Sequence, residues 1–338
     1  MPGSVHNVIQ SPQLKELLER TYTSAVIRSE GAASIFAPDM TGIEDPVIVS
    51  ANSGVGPKLR LANLLGKHEA IGRDCAALCI NDILCTGAKP LFFSAYAASS
   101  KHDDTRMEQI ITGISAVCQK AGCAFLGSSR MEKDGVYADD KYDLAGFAVG
   151  ICDRKKLIDG RTIQKGDILL GLASSGLHNE GFSIVKEVFE PTTRALSRHM
   201  PELSCTLGDE LLKPSAMYAR PILYLTQTLG LNIKGMAHIT SGGIIENIPQ
   251  ILPEGIRACI TPGNIPIPSI FDLISQKGGI PLDQMFRTFN MGTGLILVVE
   301  KADVGLVYNA LIEAGERPYM AGYCVSGERG VDLVWQRD

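Results

Sequence analysis

The stretch "ILLGLASSGLHNEGFSIVKEVF", Ile168 to Phe189, decides the fold class. Its first residues form a short apolar run, the pattern of a buried strand. A polar loop follows, with Gly176 and Gly181 in it. A helical pattern completes the unit. The same order returns in "GMAHITSGGIIENIPQILP", Gly235 to Pro253. It also occurs earlier, in "PVIVSANSGVGPKLRLANLLG", Pro46 to Gly66, where Gly66 closes a short helix. Repeated strand, loop and helix predict an α/β chain.

The alternation extends in both directions. "SPQLKELLERTYTSAVI" spaces Leu14, Leu17, Leu18 and Tyr22 as a helix does, with Pro12 in the first turn. "AIGRDCAALCINDILCTGAKP" puts Ile71, Cys75, Leu78, Cys79 and Ile83 on one apolar helical face and stops at Gly87. "LFFSAYAA", "CAFLGSS" and "YDLAGFAVGIC" read as strands, and "DTRMEQIITGISAVCQKAG" as a helix. Downstream, "LLKPSAMYARPILYLTQTLG" reads as helical, with Pro214 and Pro221 as breaks or first-turn residues. From "IRACIT" to "YMAGYCVSG" the alternation continues to the C-terminus. The polar, turn-rich "DRKKLIDGRTIQKGD" interrupts it. We place the boundary there, giving two α/β domains of residues 1–160 and 161–338.

Composition narrows the function classes. The 338 residues are 45% hydrophobic and 20% charged, as in a globular protein. A net charge of −5 argues against a broad nucleic-acid footprint. No apolar run approaches the ~18 residues of a membrane span, and no signal peptide is visible. The nine cysteines form no CxxC pair, which excludes the common zinc spacings. Reduced core cysteines in a cytoplasmic protein are the expectation.

Four stretches have residue types suited to chemistry. In "NSGVGPK", Gly54 and Gly56 free the backbone for close approach and Lys58 suits a phosphate; an ordinary strand-to-helix turn with Pro57 at the helix start is the better account of this loop taken alone. Asp74, Asn81 and Asp82 put acid and amide groups on an otherwise apolar helix. Mg²⁺ bound to a nucleotide would satisfy them, and so would a structural hydrogen-bond network. His178 lies in a Gly-flanked loop at a strand's carboxyl end, where α/β sheets bind ligands. His238, Thr240, Ser241, Gly242 and Gly243 precede a helix, which suits a phosphate or carboxylate; a plain helix cap accounts for part of this.

Together these blocks resemble the aminoimidazole ribonucleotide (AIR) synthetase family, also called phosphoribosylformylglycinamidine cyclo-ligases. The resemblance rests on "GVGPKLRLANLLGKHEAIGRDCAALCINDILCTGAKPLFF", "LASSGLHNEGFSIVKEV", "AHITSGGIIENIPQILP" and "MFRTFNMGTG". It runs from about Val47 to the C-terminus. It implies an AIR-synthetase-like fold, with an N-terminal sheet domain that pairs in a homodimer and a C-terminal α/β domain. It also implies a purine-biosynthesis enzyme that uses ATP and Mg²⁺ on a small ribonucleotide, with no nucleic-acid or membrane partner. A paralogue acting on another substrate, or a non-catalytic binding protein, is the alternative.

Residue by residue, the resemblance implies catalytic roles for Lys58, Asp74 and His178. It implies ATP or phosphate contacts from Gly54, Gly56, Asn81, Asp82, Arg130, Thr240, Gly242 and Gly243. Substrate contacts fall to His178, Asn179, His238 and Asn247, and metal ligation to Asp74 and Glu132. Some positions depart from the family. Ser53 and Pro57 stand where the family usually has an acid and a hydroxyl, which predicts a weakened Mg²⁺ site. Arg73 replaces an apolar residue. "GSSRMEKDG" replaces "GGETAEMPG", keeping Gly127, Glu132 and Gly135. Asn179 and Glu180 replace a usual "SN" pair, and Ser241 replaces a glycine. From this placement we expect His178 to face a cleft between the domains, near Thr240.

Overall fold

The computed structural model describes residues 6–7, 12–29, 33–101, 103–133, 136–138 and 141–335. Gly135 and Ser11 lie outside them, as does the side chain of Arg130. The chain divides into two compact units, Met1–Leu84 with Ala88–Leu157, and Cys85–Gly87 with Ile158–Asp338.

The first unit contains β1 (His6–Asn7), α1 (Pro12–Glu19), β2 (Val26–Arg28), β3 (Ile35–Phe36), β4 (Pro46–Gly54), α2 (Lys58–Leu65) and α3 (Glu69–Cys85). Then follow β5 (Lys89–Ser99), α4 (Asp104–Ala121), β6 (Ala124–Glu132) and β7 (Tyr142–Asp153). Among the described residues the main sheet has the order β1-β6-β5-β7-β4. Only β5 and β6 run parallel, joined by the α4 crossover. Along β7, Tyr142, Leu144 and Ala148 are buried while Asp143, Ala145 and Phe147 are exposed, so one sheet face is covered and the other is open.

Helix α3 lies on the covered face. Added side chains at Gly146 and Gly150 of β7 would collide with Phe93, Cys75 and Ile83, so glycine there lets α3 approach closely. The expected apolar face of α3 is buried, and so are Asp74 and Asn81. The strand leading into "NSGVGPK" is also longer than its apolar run suggests. Asn52, Ser53 and Gly54 pair with Phe147, Gly146 and Ala145 of β7, which leaves only Val55 to Pro57 as loop.

Asp153 fastens the end of β7. Its carboxylate accepts backbone N–H bonds from Lys155 (2.9 Å), Glu44 (2.7 Å) and Asp45 (3.1 Å). These bonds hold its carboxyl down, to about 2. The unfolded value is ~3.9, so this stabilisation is complete above that pH and is lost as pH falls towards the folded value. Asp153→Asn should therefore lower stability at neutral pH and flatten the acid limb of unfolding between these two values. Circular dichroism against pH checks this. An unchanged acid limb would show that Asp153 is not held ionised.

The second unit contains β8 (Ile168–Ala173), α5 (Phe182–Phe189), α6 (Thr193–Leu196), β9 (His199–Met200), β10 (Cys205–Thr206), α7 (Leu207–Leu211), α8 (Ala219–Leu223) and β11 (Gly235–His238). It continues with α9 (Gly243–Asn247), β12 (Ile256–Ile260), α10 (Ser269–Gly278), α11 (Leu282–Thr288), β13 (Thr293–Val299), α12 (Val304–Glu313), β14 (Tyr319–Ser326) and β15 (Gly330–Leu333). The sheet order is β11-β13-β8-β14-β12-β15 among the described residues. All neighbours are antiparallel except β12 and β15. Alternation along the chain does not reveal strand direction, because direction depends on which distant strands become neighbours.

One expected helix is interrupted. Within "LLKPSAMYARPILYLTQTLG", α7 stops at Leu211 and α8 begins only at Ala219, running on into a π-helical turn over Tyr224–Thr228. The irregular link carries Pro214, while Pro221 falls in the first turn of α8. Hydrogen bonds draw this link onto the loop after β8: the Ser175 hydroxyl donates to the Pro214 carbonyl, and the Ala216 N–H donates to His178.

Candidate active site

Strands β8 and β11 both run antiparallel to β13, which lies between them. Their carboxyl ends therefore share one sheet edge with the start of β13. Three loops meet at that edge: Ser174 to Gly181, Ile239 to Gly242, and Phe289 to Gly292. Gly181 has φ 69°, and an added Cβ would strike the Phe289 ring. Gly243, at φ 58°, would strike the carbonyls of Phe286 and Phe289. Both glycines are required where the loops close on the end of α11.

Asn290, fully buried, joins two of the loops. Its Nδ2 donates to the Gly176 carbonyl (2.9 Å), and its Oδ1 accepts from the Gly292 N–H (2.9 Å) and lies 3.0 Å from the Ser174 hydroxyl. Tyr218 adds a bond to the Ala173 carbonyl (2.7 Å). The resemblance quotes "NMGTG" within a block but assigns Asn290 no role. The only sequence signal is an amide next to two glycines, and its partners in the other loop, Gly176 and Ser174, are more than a hundred residues away.

His178 is 2% exposed, with φ 57°. Its Nε2 accepts N–H bonds from Ser175 (3.1 Å) and Ala216 (3.2 Å), which leaves the proton of the neutral ring on Nδ1. Asn247 turns inward: Nδ2 donates to the carbonyls of Gly243 (2.8 Å) and Ser241 (2.9 Å), while Oδ1 accepts from the Thr240 hydroxyl (3.2 Å). Asn179 differs. Its amide oxygen and nitrogen are shielded from solvent and have no hydrogen-bond partner among the described residues. His238, at the end of β11, lies close enough to Glu180 to act on its charge. Burial pushes the Glu180 carboxyl up, while His238 and hydrogen bonds from Ser241 work against that shift.

In the first unit, the structure brings Lys58 to Asp74. The Nζ to Oδ2 distance is 2.8 Å and both side chains are 0% exposed. Lys58 begins α2 and Asp74 lies in α3, so the pair joins the two helices that follow β4. Asn81 is fully buried, and Asp82 is half-buried one position on. Gly54 and Gly56 are exposed at the loop. Glu132 is exposed at the end of β6, where the backbone of Arg130 pairs with Ala97. No group of three or more His, Cys, Asp or Glu residues is placed to hold a metal ion among the described residues. The Asp74 carboxylate is paired with the Lys58 ammonium.

Comparison with known proteins places this geometry. The family models for AIR synthase related proteins match on both sides of the boundary, the N-terminal domain over residues 37–152 and the C-terminal domain over 164–334. The phosphoribosylformylglycinamidine cyclo-ligase of Alkaliphilus metalliredigens is 44% identical over 322 residues, covering 95% of this chain and 92% of that protein. The enzyme of the same name from Geobacillus sp. is 44% identical over 317 residues, covering 93% and 91%. The chain belongs to the phosphoribosylformylglycinamidine cyclo-ligase family. Solved structures share the fold at low identity. Thiamine-monophosphate kinase from Stenotrophomonas maltophilia superposes with a TM-score of 0.72 at 14% identity over 96% of both chains. Hydrogenase maturation protein HypE, solved with ATP, gives 0.67 at 16% identity, covering 94% of this chain and 89% of that one. The two-domain AIR-synthetase-like α/β fold expected from the sequence is thus the observed one. The cyclo-ligase blocks "LASSGLHNEGFS", "AHITSGGIIEN" and "FNMGTG" are the segments that form the three converging loops.

Proposed function

We propose that this chain is an ATP-dependent cyclo-ligase that converts formylglycinamidine ribonucleotide to aminoimidazole ribonucleotide in purine biosynthesis. The observation that carries the reading is the continuity of the likeness to named cyclo-ligases, 44% over 322 residues and across both domains. ATP phosphorylates the amide oxygen, an internal nitrogen closes the imidazole ring, and phosphate leaves. Such chemistry depends on positioning and charge neutralisation.

We assign the chain's own groups as follows. The Asn179 amide faces the ribonucleotide, because a shielded amide without a protein partner is costly unless a ligand supplies one. Asn247 holds its loop rather than the substrate, since its amide is engaged within that loop, and the His178 Nε2 ties the loop after β8 to the link between α7 and α8. His238 and Thr240 line the same edge. Lys58 and Asp74 position the β4–α2 turn, whose Gly54 and Gly56 take the nucleotide together with Asn81, Asp82 and Arg130. Gly242 and Gly243 shape the substrate loop. The enzyme works in the cytoplasm as a homodimer. The open face of the first sheet supports pairing, with Ile48 60%, Phe147 45% and Tyr96 37% exposed on it.

Phosphate release from ATP with formylglycinamidine ribonucleotide is the test. Turnover supports the reading; ATP consumption only with another substrate refutes it. In this reading Mg²⁺ arrives with the phosphate oxygens of ATP. With no acid at position 53, Mg²⁺–ATP should bind more weakly than in relatives with the full motif, and Ser53→Asp should tighten that binding in calorimetry at several Mg²⁺ concentrations. No effect of Ser53→Asp would place the metal away from position 53.

A further inference from the structure

The turn that starts β13 is held more tightly than a connection requires. Asn290 to Thr293 form a β-turn, closed by the Thr293 N–H donating to the Asn290 carbonyl (2.9 Å). Both central residues have positive φ, Met291 at 49° and Gly292 at 90°. Glycine takes that conformation freely, whereas methionine is strained in it. Met291 is 1% exposed, so packing holds it there. A strained residue persists only where its surroundings fix it, and such residues collect at functional sites.

The surroundings here are the loop after β8. The Ser174 N–H donates to the Gly292 carbonyl (2.8 Å), and the Asn290 Nδ2 donates to the Gly176 carbonyl (2.9 Å). The Ser174 hydroxyl reaches both the Asn290 Oδ1 (3.0 Å) and the Gly176 carbonyl (2.9 Å). The same Oδ1 accepts from the Gly292 N–H, so one buried amide serves the turn and the neighbouring loop together. Further along β13, a Cβ added at Gly294 would strike the Tyr218 hydroxyl and crowd Cε1 of the His178 ring. The loop is thus fixed at Ser174, Gly176 and His178. Asn179 is the next residue, and its shielded amide has no partner among the described residues.

We propose that Asn290 is a positioning residue: from the strained turn it braces the loop after β8, so that the Asn179 amide is presented to the ribonucleotide. The ligand rests on the cyclo-ligase reading, while the brace belongs to the ligand-free chain. Asn290 acts on substrate through Asn179, so its effect on binding should vanish where the Asn179 amide is gone.

Four proteins test this: the native chain, Asn290→Ala, Asn179→Ala and the double variant. In amide hydrogen exchange without substrate, Asn290→Ala should speed exchange across residues 174–181 by about tenfold, with α12 exchanging as in the native chain. Asn179→Ala should leave that exchange unchanged, since its amide holds nothing in the loop. The KM for formylglycinamidine ribonucleotide should rise by about tenfold in each single variant, with kcat within about twofold. The double variant should be no more than about twofold worse than either single, as coupled residues behave. A structural role without positioning predicts KM effects that multiply in the double variant, and that result would overturn the proposal. A loosened loop with an unchanged KM would overturn it as well. If Asn290→Ala does not fold, Ser174→Ala replaces it in the same cycle, with effects of about threefold and the same two contrary outcomes. A loop that loosens as expected, in a native protein that never turns over this ribonucleotide, would uphold the brace and refute the cyclo-ligase reading instead.

Discussion

Lys58→Met should lower the melting temperature by roughly 6–20 °C and abolish turnover. Both members of the Lys58–Asp74 pair are fully buried at 2.8 Å. Removing the lysine leaves a carboxylate in the core without its cation, which costs about 3–5 kcal/mol. In a domain of this size each kcal/mol shifts melting by roughly 2–4 °C. Asp74→Asn should destabilise for the converse reason, by taking the carboxylate charge from the buried ammonium. The double variant Lys58→Met/Asp74→Leu should recover most of the stability, because a well-packed apolar pair often replaces a buried ion pair without loss. It should recover no activity if the pair sets the nucleotide turn. Calorimetric melting of the three proteins decides the matter. An Asp74→Asn variant that melts like the native chain would show that the carboxylate is free to hold a cation instead.

His178→Ala should reduce stability and turnover together. The imidazole Nε2 is the acceptor for two half-buried backbone N–H groups, from Ser175 and Ala216. Each unsatisfied donor costs about 1–3 kcal/mol. Because both groups are half-buried the low end applies to each, and a combined loss of roughly 2–3 kcal/mol corresponds to melting about 4–12 °C lower for a unit of this size. Alanine is also strained at φ 57°, a conformation that Asn and His tolerate better. His178→Asn should accordingly recover part of both properties. The contrary result is a variant that melts normally and loses about a hundredfold in kcat, the mark of a donor acting on the reacting atoms. That would return His178 to the catalytic role implied by the family resemblance.

His178 shows where reading the sequence stops being sufficient. A histidine between Gly176 and Gly181 at a strand end has the right type and place for catalysis. Its partners decide its task, and one of them, Ala216, lies 38 residues away. Asn247 is similar: its amide is turned into its own loop by local backbone geometry that residue type alone does not reveal. Asp74 on an apolar helix was legible as a buried charge in need of a cation. Whether that cation is a metal or Lys58 depends on how α2 returns over α3, a tertiary event.

The sequence by itself determined the two α/β domains, their order and the family, because apolar periodicity, glycine placement and loop motifs are local properties that survive in one dimension. It also located the three segments that meet at the sheet edge. Only the tertiary structure decided the strand directions, the interruption of the helix at Pro214, the pairing of Lys58 with Asp74 and the engagement of His178 by Ser175 and Ala216. Each depends on contacts between residues distant in the chain. Hydrogen bonds and buried charges are satisfied by whichever groups the packed fold brings within reach, and the linear pattern does not encode that proximity.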